Sequence, residues 1–226
     1  MPMHPLPLLS LLEARVLAVL VEKESTVPDT YPMSLNALTA GCNQKTSRHP
    51  VISASEAEVQ AALDGLRRLS LAIESSGGRV MRYAHNARRV LDIPSESVAL
   101  LATLVLRGPQ TAAELRVNCE RLHRFADASS VEAFLRELAA RDAGALVVEL
   151  PRQPGARETR WASLLCGPPA QEAAGSAPMA PAAAAGGEAP PDRLAALEAE
   201  VARLGGELRS LEAAVAQLRD ALGVGS

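Results

Sequence analysis

One pattern constrains this chain more than any other. A capped, apolar-striped helix recurs in the same order twice. Ser10 with Glu13 and Ser55 with Glu58 are S-x-x-E boxes, in which each side chain satisfies an orphan backbone donor at a helix start. Thr111 with Glu114 and Ser129 with Glu132 repeat the device later in the chain. In the first unit the box at Ser10 predicts a helix over residues 10–24, with Leu12, Val16, Leu17, Val19 and Leu20 as its apolar stripe. A turn-rich stretch holding Thr26, Pro28, Asp29 and Pro32 follows. Ser34 opens a second helix that buries Leu35, Leu38 and Cys42. A third, over residues 55–69, carries Val59, Ala62, Leu63 and Leu66. Strands over 71–74 and 79–84 flank Ser75-Ser76-Gly77-Gly78, where glycine tolerates the positive φ of a hairpin turn. Residues 86–93 lead into the second unit.

The second unit runs in the same order. An apolar helix over 98–106 is closed by Arg107-Gly108-Pro109. A helix with Leu115 and Cys119 comes next. A third carries Val131, Phe134, Leu135 and Leu138 on the i, i+3, i+4, i+7 face used by Val59 to Leu66. Strands over 146–150 and 159–165 surround a turn containing Pro, Gly and Arg. Val16 corresponds to Leu100, Cys42 to Cys119 and Val59 to Val131, so the first unit has the longer interhelix loops. Repetition with loop-length differences is the mark of a duplicated domain. Helix, turn, helix and hairpin is the winged-helix plan. The expected fold class is mainly α with small β-hairpin wings, an α+β arrangement of tandem winged-helix domains. The expected domains are 1–93 and 94–167, with the boundary near Asp92 to Ser95.

After residue 167 the composition changes. Of the 25 residues 168–192, 19 are Ala, Pro or Gly, which cannot bury a core and predict a flexible linker. Residues 193–226 then carry a heptad pattern, with apolar positions Leu194, Leu197, Val201, Leu204, Leu208, Leu211, Val215, Leu218 and Leu222. The spacing alternates three and four, which keeps one seam facing a partner and predicts a parallel coiled-coil homodimer. Gly205 and Gly206 weaken that helix. A heterotypic coil or a helix folded back on its own chain fits the same heptads.

Four of these strings carry a resemblance. LEARVLAVLVEKE (12–24), PDTYPMSLNALTAGCNQKTSRHP (28–50), LRGPQTAAELR (106–116) and LPRQPGARETRWASLL (150–165) are similar to the bacterial YceH-like family, over roughly residues 8–166. The resemblance implies a tandem winged-helix fold. It brings no established activity and no established site residues. His49 stands where the family more often has an acid, and Trp161 where it tends to have tyrosine. Asn118-Cys119-Glu120 replaces a more basic string, which speaks against an anion contact by that helix.

Composition narrows the function. Net charge is −3, and the acidity sits after residue 167, where eight acids face four arginines, so no global basic field announces nucleic acid. Aromatic residues make up 2% of the chain, too few for a platform that stacks single-stranded bases. Cys42, Cys119 and Cys166, without CxxC spacing, suggest reduced cytoplasmic thiols. No signal peptide and no run near the roughly 18 apolar residues of a membrane span is legible, so the expected location is cytoplasmic. There is no Walker loop, GxGxxG or HExxH, and His4, His49, His85 and His123 are scattered, so no enzyme, cofactor or metal is expected.

Two functional classes remain. One is a DNA-binding or regulatory module that sits on the phosphate backbone of double-stranded DNA. Its candidate contacts are Lys45 and Arg48 in the loop after the second helix, Arg79 and Arg82 on the first wing, and Arg152, Arg157 and Arg160 on the second. The alternative is a protein-interaction adaptor that uses the winged helices as a scaffold and the tail for assembly. Glu56 and Glu58 open the third helix, where a base-reading helix would carry Arg, Lys, Asn or Gln. Those acids lean to the adaptor. The basic wings lean to DNA, and double-stranded DNA binding is the expected function.

Overall fold

Two helices buried on nearly every side, α1 (Leu11–Thr26) and α5 (Ser95–Arg107), lie against each other at the centre. The computed structural model describes residues 8–75 and 80–169, all within one compact unit. Every residue of α1 from Ala14 to Val21 is buried. So is every residue of α5 from Ser97 to Leu104. Sequence periodicity suggests a single stripe on α1. The near-continuous apolar run is the better guide, because a helix that is hydrophobic all round is an interior helix.

Around α1 the first half adds a 3₁₀ turn (Pro28–Thr30), β1 (Met33–Ser34), α2 (Leu35–Cys42), α3 (Glu56–Arg68), β2 (Ala72–Ser75), β3 (Arg82–His85) and α4 (Ala87–Leu91). Around α5 the second half adds α6 (Ala112–Asn118), α7 (Ala128–Ala139), β4 (Val147–Glu149) and β5 (Trp161–Ser163). The first sheet is antiparallel in the order β1-β3-β2, with Met33 opposite Tyr83 and Ala72 opposite His85. The second pairs β4 with β5, Val147 opposite Ser163. Gln110 exchanges both backbone hydrogen bonds with Trp161, at 3.1 and 2.8 Å. Gln110 precedes α6 as Met33 and Ser34 precede α2, so this bridge is a one-residue version of β1. Both halves therefore run helix, short strand, helix, helix, hairpin.

The capping boxes at Ser10, Ser55 and Thr111 form as the sequence suggests, and the Ser34 hydroxyl caps α2. The box expected at Ser129 does not form. Asp127 is the extended residue and accepts from the Ser130 amide at 2.7 Å, while Glu132 pairs with Arg136 at 2.8 Å. Helix α1 runs two residues beyond Glu24: the Thr26 hydroxyl donates back to the Glu22 carbonyl at 2.8 Å, the Val27 amide closes the last turn on the Lys23 carbonyl at 3.0 Å, and Pro28 follows. Helix α5 starts three residues before Val98, at Ser95, directly after the extended Pro94. Strand β1 and the short α4 carry too few residues for a periodicity to register.

Candidate functional site

The loop between α2 and α3, residues 43–55, is the first candidate, and its chemistry points inward. Asn43 fixes its far end, donating to the Ala54 carbonyl at 2.7 Å and accepting from the Ala54 amide at 2.8 Å. Arg48, expected at a phosphate, has a side chain with no exposed surface. Its guanidinium grips both oxygens of Glu22, at 3.2 and 2.6 Å. It also donates to the Gly41 and Ser47 carbonyls and to the Gln44 side chain. No donor is left for a ligand. Burial pushes the Glu22 carboxyl up, but the Arg48 hydrogen bonds and charge, with Lys23, hold it below the ordinary carboxylate range.

A second buried guanidinium works beside it. Arg15 of α1, 3% exposed, donates to the Cys42 and Pro50 carbonyls at 3.3 and 2.7 Å. Its Nε is buried, without a partner among the described residues. Burial and then the Arg48 charge lower its pKa. The loop's other end reaches α5: the His49 amide donates to the Leu106 carbonyl at 2.7 Å, and Arg107 donates to the Ser47 hydroxyl at 2.8 Å. Gly108, at φ 80°, lies under the His49 ring, where a Cβ would come within 3.0 Å of Cδ2. Gly41 lets α2 approach α1, since a Cβ there would stand 2.7 Å from the Val19 Cγ1. The loop is a buckle between the two halves. Lys45 is the member of the predicted pair that faces solvent.

The first hairpin offers less than its sequence suggests. Arg82 donates to the Thr30 and Pro32 carbonyls at 3.3 and 2.8 Å, bracing the turn before β1. Arg79 lies outside the described residues. On the second hairpin Arg152 and Arg157 are exposed and Arg160 is half-buried. Among the described residues none of the three is in an ion pair, and Glu149 instead accepts from the Thr159 hydroxyl.

The exposed faces of α3 and α7 are not basic. Glu56 accepts from Asn36 at 2.9 Å. Arg67 is paired with Asp64 and Glu74, and Arg136 with Glu132. Cys42 and Cys119 are fully buried, and burial drives the Cys42 thiol up to about 11 and that of Cys119 upward. Among the described residues no three His, Cys, Asp or Glu side chains gather to hold a metal ion. No helix among them is long and apolar enough to cross a membrane. The heptad positions from Leu194 to Leu222 lie outside the described residues.

The motif pattern does not single out Arg15 or Glu22. The available signal is an arginine interrupting the apolar run of α1, where a charge must find partners or not be buried at all. A family model described as "Protein of unknown function, DUF480" matches residues 9–156. The chain belongs to the DUF480 family. This DUF480 chain is 61% identical to a UPF0502 protein of Burkholderia pseudomallei over 214 residues, covering 94% of the chain and 88% of the relative. A UPF0502 protein of Burkholderia cenocepacia is 60% identical over 215 residues, covering 94% and 89%. The family model stops before β5, whereas alignments covering 94% of the DUF480 chain extend well past residue 169.

Proposed function

We propose that this chain is a tandem winged-helix regulatory module without catalytic activity, which sits on the phosphate backbone of double-stranded DNA through its second hairpin. The reading rests on Arg152, Arg157 and Arg160, three guanidiniums on one hairpin with no carboxylate partner among the described residues. Arginine in that state suits bidentate phosphate contact. The order helix, short strand, helix, helix, hairpin in both halves, with a β1-β3-β2 sheet in the first, supports the winged-helix assignment. Helices α3 and α7 take no part in base readout, because their first turns carry acids or hydroxyls and their paired arginines are occupied.

Binding on this basis is weak, poorly selective for sequence and sensitive to salt. Each phosphate contact contributes about −0.9 to the slope of log affinity against log salt, so three give a slope of about −3. Replacing Arg152, Arg157 and Arg160 by alanine flattens that slope in a fluorescence titration against duplex DNA. Absence of retention by the unmodified chain at low salt transfers the function to the adaptor reading. One observation favours that reading specifically: Ile73, Val80 and Met81 leave an exposed apolar surface on the first hairpin.

The tail adds an assembly step to the proposal. Heptads with Leu at every d position and Val at two a positions favour two parallel strands. Light scattering over a dilution series is expected to find the full chain dimeric at high concentration and a chain ending at Gly167 monomeric. A full chain that stays monomeric at high concentration rules out the homodimer, and a dimeric short chain shows that pairing lies elsewhere.

A further inference from the structure

A cleft of about 940 Å³ opens between the two halves, away from the buckle loop and the second hairpin. Its size and its place at a junction of two lobes are those of a small-molecule site. The first half contributes the end of α1, His85 of β3 and the two arginines of α4. The second contributes the first turn of α5 and the segment after α6 that holds His123. Val21, Ile93, Val98 and Leu122 supply an apolar lining.

The lining carries two guanidiniums and two carboxylates, and one of the carboxylates already has a partner. Arg88 and Arg89 are adjacent, both exposed, and among the described residues neither is in an ion pair. Of the acids in the lining, Glu24 is already engaged by His85, whose Nε2 lies 2.8 Å from its carboxylate. The His85 Nδ1 accepts the Ala87 amide at 3.3 Å, which places the ring proton on Nε2 and aims it at Glu24. The His85 side chain is 9% exposed and that of Glu24 53%, so His85 forms part of the wall and Glu24 its open edge. Asp92, in the lining, and Glu96, just outside it, are the carboxylates left near the two guanidiniums and the His123 ring. Glu96, just outside the lining, is held below the ordinary carboxylate range by its own amide, with Ser95, His123 and Arg88 adding to it. Two adjacent like charges on one wall of a concave, partly apolar site are stabilised by an anion placed between them.

We propose that this cleft binds a small organic anion, whose carboxylate or phosphate group is held by Arg88 and Arg89 and whose apolar body lies along Val98 and Leu122. The site uses none of the hairpin arginines, so it goes beyond the DNA reading and stands or falls separately from it. A ligand there touches both halves at once.

The test is an NMR titration of the full chain, following the His85 and His123 ring signals, with sodium phosphate and then sodium citrate at constant ionic strength. Saturating shifts are expected with at least one probe, with half-saturation on the order of 1 mM. The double variant Arg88→Gln, Arg89→Gln removes two charge-assisted donors and is expected to raise half-saturation about tenfold or more. Both side chains are exposed, so its thermal melt should match that of the unmodified chain. Arg152→Gln should leave the titration unchanged while weakening DNA retention, which separates the two readings. Shifts that are absent or linear with both probes overturn the proposal. So does a double variant that titrates like the unmodified chain.

Discussion

Replacing Arg48 by alanine is expected to cost the folded chain about 3–5 kcal/mol, the loss typical of removing one partner from a buried ion pair. The Arg48 side chain is fully enclosed, and Glu22 is 16% exposed. Alanine strands the Glu22 carboxylate and leaves the Gly41 and Ser47 carbonyls without their donor. Arg48→Lys does not rescue it, because an ammonium cannot reproduce a fork that reaches four acceptor groups. Lys45→Ala, three residues earlier and exposed, should lie within about 0.5 kcal/mol of the unmodified chain. Urea unfolding at neutral pH measures both. The pH dependence carries a sign. The folded Glu22 carboxyl titrates below its ordinary value of 4.5, so its contribution is complete above that value. It is lost as pH falls through the folded value. In Arg48→Ala burial acts on Glu22 without its main opposing charge, and protonation then relieves a penalty. The stability gap between the two proteins should narrow on acidification. A gap that is constant from neutral pH down to pH of about 3 would remove the ion pair from this account.

The buckle loop shows where sequence reading stops. Capping boxes are local, so Ser10, Ser55 and Thr111 announce their helices from a four-residue window. The stripe Val59, Ala62, Leu63 and Leu66 is legible for the same reason, and all four residues are buried. Arg48 is different. Its partners Glu22 and Gly41 come from two other helices, and a basic residue in a polar loop has the same sequence signature whether it faces water or a carboxylate. The partners of Arg82 are equally out of reach of a local reading, since its acceptors Thr30 and Pro32 precede it by about fifty positions. The cleft is invisible in sequence because its walls meet only when α4 and the segment after α6 are brought together by the packing of α1 on α5. The arginines of the second hairpin lie close together in sequence, and a spacing argument reaches them.

Cutting the chain between Ile93 and Pro94 should yield two fragments that do not fold alone. The contact between α1 and α5 is the reason. Ala14, Leu17, Ala18 and Val21 of α1 face Val98, Leu101, Ala102 and Val105 of α5 across a thin seam. Both sets follow i, i+3, i+4, i+7, so each helix presents one full stripe to the other. The opposite side of α1 is covered by α2 and α3, and that of α5 by α6 and α7. Each helix therefore serves two cores. Exposing Leu17, Val21, Val98, Leu101 and Val105 would cost about 1.5–3 kcal/mol for each side chain. Their sum is comparable to the about 5–15 kcal/mol that stabilises a whole domain. The buckle adds to the loss, because the His49 amide and the Ser47 hydroxyl would part from Leu106 and Arg107. Intact, the body should melt in one cooperative transition, with near-UV and far-UV circular dichroism coinciding. Residues 8–93 alone and 94–169 alone should give poorly dispersed amide spectra and associate through the bared stripes. A fragment that is monomeric, well dispersed and unfolds sigmoidally in urea would show that its half closes a core without the other, and would make the α1–α5 seam an interface between domains instead of a shared interior.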